Sequence, residues 1–238
     1  VLNIVVELLF QNILKSLMWT LPFILLIFKQ PDLGSLLSIL AIWIAMLFAS
    51  GVSIKKIAVL ALLVLFVIPF SYLSLHDYQK GRIVGFLQPE SDPLGKGYNL
   101  IQSQIAVGSG QIFGRGLGRG TQSRLQFLPE FRTDFIFAAI AEEMGFLGSL
   151  MIISIYLILF TFCLKVAKDA YDRFGFLATV GVFAMLLYQT FLNIGMNIGL
   201  VPITVITLPL ISYGGSSLIA TYFSLGLVAS VAKIKKRR

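Results

Sequence analysis

Met144–Val166 reads MGFLGSLMIISIYLILFTFCLKV, an apolar run whose single charge, Lys165, is next to last. About 20 such residues in a helix reach across bilayer hydrocarbon. Apolar residues occupy every face of the run instead of one stripe, as in a helix surrounded by lipid or protein. Hydrocarbon offers no water to backbone N–H and C=O groups, so a crossing segment must be helical or belong to a closed barrel. A run this long and rich in Leu, Ile and Phe is a helix. The rest of the chain agrees: 57% of its residues are hydrophobic and 13% charged, and the mean hydropathy is +0.89. A soluble domain carries about 25% charged residues. This composition excludes a soluble enzyme or a nucleic-acid-binding module.

Outward from that run, Leu33–Ser50, Ile57–Leu75, Phe174–Leu192 and Tyr213–Ala232 read as further spans. Leu17–Phe28 is a shorter one, interrupted by Pro22 and preceded by a part lying in the interface. The expected fold is all-α: a polytopic membrane helix bundle of about six spans, forming one integral membrane domain over residues 1–238. Residues 76–132 form a large polar loop, rich in Gly, with short or re-entrant helices. Asn193–Ser212, punctuated by Gly and by Pro202 and Pro209, reads as a broken segment, which is tolerated where it is buried or lines a cavity. Lys55 and Lys56, then Lys165, Lys168 and Arg173, then the basic tail ending at Arg238 fall on one side if the spans alternate. The positive-inside tendency makes that side cytoplasmic and the loop extracytoplasmic. The chain starts at Val1 with apolar sequence, which suggests a truncated protein.

The loop carries Lys80, Arg82, Lys96, Arg115, Arg119, Arg124 and Arg132 against Asp77, Glu90, Asp92 and Glu130. Such an excess outside needs a reason, and an anionic ligand supplies one. Arg forks match phosphate oxygens, and Gly-rich turns aim backbone N–H groups at an anion. Gly114–Gly120, GRGLGRG, has the composition of a pyrophosphate cradle, although it lacks the strand and the Lys-Ser/Thr of a nucleotide loop. A solvated surface or lipid-headgroup contact is the plainer alternative. Asp134 stands where the loop becomes a membrane helix that Thr133 or Arg132 is expected to cap, and it is expected in that helix's first turn. There it either offsets the helix dipole or serves as a general base or metal ligand. Glu142 lies within a quarter turn of it and Glu143 nearly opposite. Carboxylates this close to hydrocarbon face a cavity or a partner by default. His76, the only histidine, leaves little material for Ser-His or His-metal chemistry. Cys163, the only cysteine, reads as a small hydrophobe.

Several stretches resemble a known family. They are Gln30-Pro-Asp-Leu-Gly34, Phe86-Leu-Gln-Pro-Glu-Ser-Asp-Pro-Leu-Gly95, Gly97-Tyr-Asn-Leu-Ile-Gln-Ser103, Gly120-Thr-Gln-Ser123, Phe127-Leu-Pro-Glu130, Thr133-Asp-Phe-Ile-Phe-Ala138, Glu142-Glu143 and Pro209-Leu-Ile-Ser-Tyr-Gly-Gly-Ser-Ser217. In this order they resemble the SEDS family of shape, elongation, division and sporulation proteins, and their wording is more similar to its RodA branch than to FtsW. Departures are Phe131-Arg132 where many relatives have His, Gln111 after Gly108-Ser-Gly110, and Val205-Ile-Thr207 in a segment usually containing Gly. Complete members have about ten spans.

The resemblance implies a peptidoglycan glycosyltransferase of the bacterial cytoplasmic membrane. It would polymerise lipid II, the undecaprenyl-pyrophosphate-linked precursor, during elongation and cell-shape maintenance. The implied partners are a class B penicillin-binding protein and other membrane proteins of the elongation complex; no nucleic acid is expected. The family's essential acid falls on Asp134. Lys96, Gln102, Ser103, Arg115, Arg119, Thr121, Gln122, Ser123, Glu130, Thr133, Glu142, Ser212 and Tyr213 are the residues expected to meet substrate. A divalent metal ion is left open as a cofactor, with no ligands assigned. Two readings from other classes stand beside this one: a transporter of lipid-linked precursor, and a scaffold that recruits cell-wall enzymes without chemistry of its own.

Overall fold

The computed structural model describes residues 2–30, 32–59, 62, 77–95, 97–125 and 127–234. The described chain is helical, and it divides into two compact units, Val1–Ser74 and Leu75–Arg238. The expected span Ile57–Leu75 lies mostly outside the described residues, as does His76.

In the first unit, α1 (Leu2–Lys29) runs unbroken through Pro22, longer than the Leu17–Phe28 segment expected. α2 (Leu33–Ala49) starts where Asp32 accepts the Ser35 N–H at 3.1 Å and its hydroxyl at 2.6 Å. That bond satisfies one of the N–H groups a helix start leaves without a partner. Trp43 Nε1 donates to Ser16 Oγ at 3.2 Å, and Ile13, Leu47 and Val52 form the small core of this unit.

The second unit holds the three helices that are long and apolar enough to cross a membrane among the described residues: α6 (Ile136–Lys168), α7 (Arg173–Asn197) and α8 (Gly215–Lys233). The polar stretch before them folds into α3 (Asp77–Leu87), a 3-10 turn at Pro89–Ser91, α4 (Tyr98–Ser109) and the single turn α5 (Thr121–Arg124). It is thus a loop with short helices, as expected. Phe137, Tyr156 and Phe160 of α6 meet Leu186 of α7 and Leu208 of the non-helical segment between α7 and α8. Tyr156 there donates its hydroxyl to the Pro209 carbonyl. Deeper along α6, Cys163 and Val166 are buried with Val228 of α8. Cys163 is a packing residue, as its surroundings in the sequence suggest.

Three boundaries differ from the expected ones, each for a local reason. α6 begins at Ile136, not at Thr133, because the N–H groups of Thr133, Asp134 and Phe135 all donate to the Glu130 carbonyl, at 3.1, 3.1 and 3.2 Å. That is a turn, with Glu130 at φ +52, so Asp134 precedes the helix instead of lying in its first turn. α7 runs on to Asn197, so the broken segment starts later than Asn193. α8 begins at Gly215 because the Tyr213 N–H goes to the Arg132 carbonyl at 2.8 Å.

α6 is also kinked. Gly145 has φ 66 and ψ −160, a conformation open in practice only to glycine. The Gly-rich loop fills the break. Arg115 and Gly116 N–H donate to the carbonyls of Glu142 and Glu143 at 3.0 Å each, while Phe146 and Leu147 N–H donate to Gln111 and Ile112 at 2.8 and 3.2 Å. A Cβ at Gly110 would lie 1.8 Å from the Ala141 carbonyl oxygen, and one at Gly114 would lie 2.1 Å from that of Glu143. These glycines are what lets two backbones touch.

Candidate active site

Asp134 sits between the loop helices and the spans. It is 8% exposed and lines a cavity of about 230 Å3 with Arg82, Gly85 and Phe86 of α3, Asn99 and Leu100 of α4, Pro129, Glu130, Phe135, Ile203 and Val205. Burial, with help from the Glu130 charge, pushes its carboxyl up to about 6, against a smaller opposing pull from Arg82. Desolvation disfavours the charged form of an acid, and a like charge adds to it. A carboxyl poised near neutrality in a cleft has the proton affinity that general-base work needs.

The main chain of Asp134 is held from α7. Asn193 Nδ2 and Asn197 Nδ2 donate to the Asp134 carbonyl at 2.9 and 3.1 Å, and Asn197 Oδ1 accepts the Ala138 N–H at 3.2 Å. Asn193 Nδ2 also reaches the Ile206 carbonyl at 2.8 Å. Both asparagines are wholly buried. Ser103 of α4 donates to the Asn197 carbonyl at 3.2 Å. Ser212 Oγ donates to the Thr133 carbonyl at 2.6 Å and accepts the Leu208 N–H at 2.8 Å. The turn carrying Asp134 is thereby tied to α4, to α7 and to the segment before α8.

Of the residues expected to meet substrate, Glu130 shares the cavity with Asp134. Thr133 beside it bonds the Glu130 side chain at 3.1 Å. Ser103 and Ser212 are buried framework residues. Tyr213, exposed, lines a neighbouring, largely apolar cavity with Arg132, Ile136, Leu210 and Leu218. Gln102 is half-buried on α4. Lys96 lies outside the described residues, as does the side chain of Ser123.

A second cluster gathers around Glu142, which does not face Asp134 as the helical spacing suggests. Its carboxylate is wholly buried and accepts the N–H groups of Thr121 and Gln122 at 2.7 and 2.9 Å and the Thr121 hydroxyl at 3.0 Å. Arg115 Nη1 donates to Thr121 Oγ1 at 2.8 Å, and Arg119 is exposed. The Gly-rich stretch was expected to aim its N–H groups at a pyrophosphate. Arg115 and Gly116 instead give theirs to the α6 carbonyls, and the anion beside Thr121 is the chain's own Glu142. Neither Arg115 nor Arg119 lines the Asp134 cavity; the cation there is Arg82. Among the described residues no group of three His, Cys, Asp or Glu side chains could hold a metal ion.

Sequence reasoning passed over Asn193, Asn197, Asn99 and the place of Arg82. The asparagine pair had a readable signal, two amides four residues apart on one face of an apolar helix, since polar groups in such a helix find partners inside the bundle. Arg82 had none beyond its charge.

The family model for FtsW, RodA and SpoVE, described as a cell cycle protein, matches residues 4–237. The chain belongs to this family. Within the FtsW/RodA/SpoVE family it is 45% identical over 213 residues to the peptidoglycan glycosyltransferase MrdB of Escherichia coli K12, covering 89% of this chain and 58% of that protein. It is 40% identical over 212 residues to the stage V sporulation protein E of Bacillus subtilis, covering 89% of this chain and 57% of that one. Two solved structures share the fold. One, from work on the structural coordination of polymerization and crosslinking by a peptidoglycan synthase complex, has a TM-score of 0.74 at 32% identity over 93% of this chain and 61% of that chain. The other, a mutant of the rod shape determining protein RodA of Thermus thermophilus, has a TM-score of 0.61 at 28% identity over 93% of this chain and 56% of that chain. This family member thus spans less than two thirds of the length of the proteins it matches.

Proposed function

We propose that this chain carries the catalytic part of a peptidoglycan glycosyltransferase, which polymerises lipid II at the outer face of the bacterial cytoplasmic membrane. The observation that carries the reading is Asp134: a buried carboxyl, raised to about 6, in a cavity with Arg82 at the mouth of a spanning helix. In the reaction, an acceptor-sugar hydroxyl oxygen attacks the anomeric carbon of the donor. Asp134 takes the hydroxyl proton as the new C–O bond forms, and the bond from that carbon to the lipid pyrophosphate breaks with its electron pair leaving on the pyrophosphate. Arg82 stands where it can offset the developing charge, a stabilisation worth more in a water-poor cavity than in bulk solvent. The balance is the same with or without a divalent ion at the pyrophosphate.

The membrane bundle would lie with the basic tail on the cytoplasmic side and residues 76–132 outside. A class B penicillin-binding protein, with other elongation-complex membrane proteins, would be the partner that crosslinks the product. The name of the relative MrdB, a peptidoglycan glycosyltransferase, supports the reaction, and the similar chain from work on coordinated polymerization and crosslinking by a peptidoglycan synthase complex supports a crosslinking partner. The direct test incubates the full-length protein carrying Asp134→Asn with purified lipid II and resolves the glycan products on a gel. No polymer is the expected result; polymer made at the parent rate would overturn the role of Asp134.

A further inference from the structure

Beyond the two N–H groups it gives to α6, the Gly-rich loop presents an open surface. Phe113 is 80% exposed and Leu117 77%, with Ile112 exposed beside them. Arg115 and Arg119 flank Leu117 and are exposed as well. An apolar cluster left open in a polar loop marks an interaction surface.

The place of this cluster along α6 identifies what covers it. Beyond its kink, residues 146–168 of α6 are about 35 Å long at 1.5 Å per residue, enough to cross hydrocarbon about 30 Å thick. Lys165 and Lys168 lie in its last turn, and such residues sit at the membrane boundary. Counting back about 20 residues from Lys165 reaches Gly145, the kink. The second boundary therefore falls where the loop is hydrogen-bonded to α6, from Glu142 to Leu147. Phe146, Leu147, Leu150 and Met151 on α6 are themselves exposed and apolar, so the loop cluster continues an exposed apolar surface of that helix.

We propose that the loop from Gln111 to Gly120 is a wedge seated in the outer leaflet of an anionic phospholipid bilayer. Ile112, Phe113 and Leu117 enter the acyl boundary, and Arg115 and Arg119 meet the headgroup phosphates. This is the pattern of an interfacial segment with an apolar face and a basic rim. The glycines serve it directly: with φ positive at Gly114, Gly116 and Gly118, the backbone can lie flat on α6 while the larger side chains between them turn outward. The assignment stands whether or not Asp134 is catalytic; that the leaflet is the outer one rests on the orientation proposed above.

Cys163 is wholly buried, so a thiol reagent reaches an introduced cysteine first. Phe113→Cys and Leu117→Cys, each labelled with a nitroxide, are reconstituted in vesicles of phosphatidylcholine with and without phosphatidylglycerol. Collision rates are then read for oxygen, which concentrates in hydrocarbon, and for a water-soluble nickel chelate. Oxygen collisions several-fold above those with nickel are expected at both positions. Phosphatidylglycerol should widen the ratio, and the double substitution Arg115→Gln, Arg119→Gln should remove that gain. Nickel collisions exceeding oxygen at both positions, as for a surface facing water, or few collisions with either, as for one covered by protein, would overturn the proposal. A ratio indifferent to phosphatidylglycerol would overturn the headgroup contact.

Discussion

Asp134 shows how a carboxyl is tuned by where it is placed. Burial raises its proton affinity, Glu130 raises it further and Arg82 lowers it. If the ionised form is the base, the rate of polymerisation falls about tenfold for each pH unit below 6. Glu130→Gln removes a contribution that raises the value, so the acid limb of the pH–rate profile should move to lower pH; a limb that stays in place would show that another group titrates. The same shift has a stability consequence of defined sign. A carboxyl raised in the folded state binds more protons there than in the unfolded chain, so stability falls as pH rises from about 4 towards 6. Asp134→Asn removes the buried charge. It should melt higher than the parent at pH 8 in detergent, with the difference shrinking below pH 4, even though it makes no polymer. Asp134 stood out in the sequence because acids at a membrane edge are costly and so conspicuous. Its partner Arg82 did not, since it lies 52 residues earlier among six other bases and only folding brings it to the same cavity.

At the scale of elements, the long spans were readable because hydrophobic length alone determines them. The kink was not. A lone Gly145 inside an apolar run reads as a tolerated helix residue, and nothing local shows that another backbone will occupy its place. Glu142 went astray for another reason: its helical spacing from Asp134 assumes that both lie on one helix, and α6 starts only at Ile136. Because Glu142 accepts from Thr121, Gln122 and the Thr121 hydroxyl, Glu142→Ala leaves part-buried donors without their acceptor. It should cost about 1–3 kcal/mol, read as a lowered melting temperature, whereas Glu142→Gln keeps an oxygen and should lose less. On α7, Asn193→Ala removes the donor to both Asp134 and Ile206. It should lower kcat with little change in KM and shift the acid limb, which a loss of folded protein alone would not do.

At the scale of the whole molecule, composition sufficed for the class, and the motif order sufficed for the family. The side of the membrane rests on Lys165, Lys168, Arg173 and the basic tail, and it is open to a direct check. A fluorescent protein that matures only in the cytoplasm should be bright when fused after Arg238, while alkaline phosphatase, active only outside, should work when inserted beside Leu94. The opposite pattern would put Asp134 on the face where no acceptor strand grows.

The turn that bears Asp134 is fastened through main-chain atoms: its N–H to the Glu130 carbonyl, its own carbonyl to Asn193 and Asn197. The peg and the tool hung on it are therefore separable. Glutamate, cysteine or a synthetic acid of chosen strength can replace the carboxylate without loosening the peptide that carries it. A graded series at position 134 would then plot reaction speed against acidity in one unaltered setting.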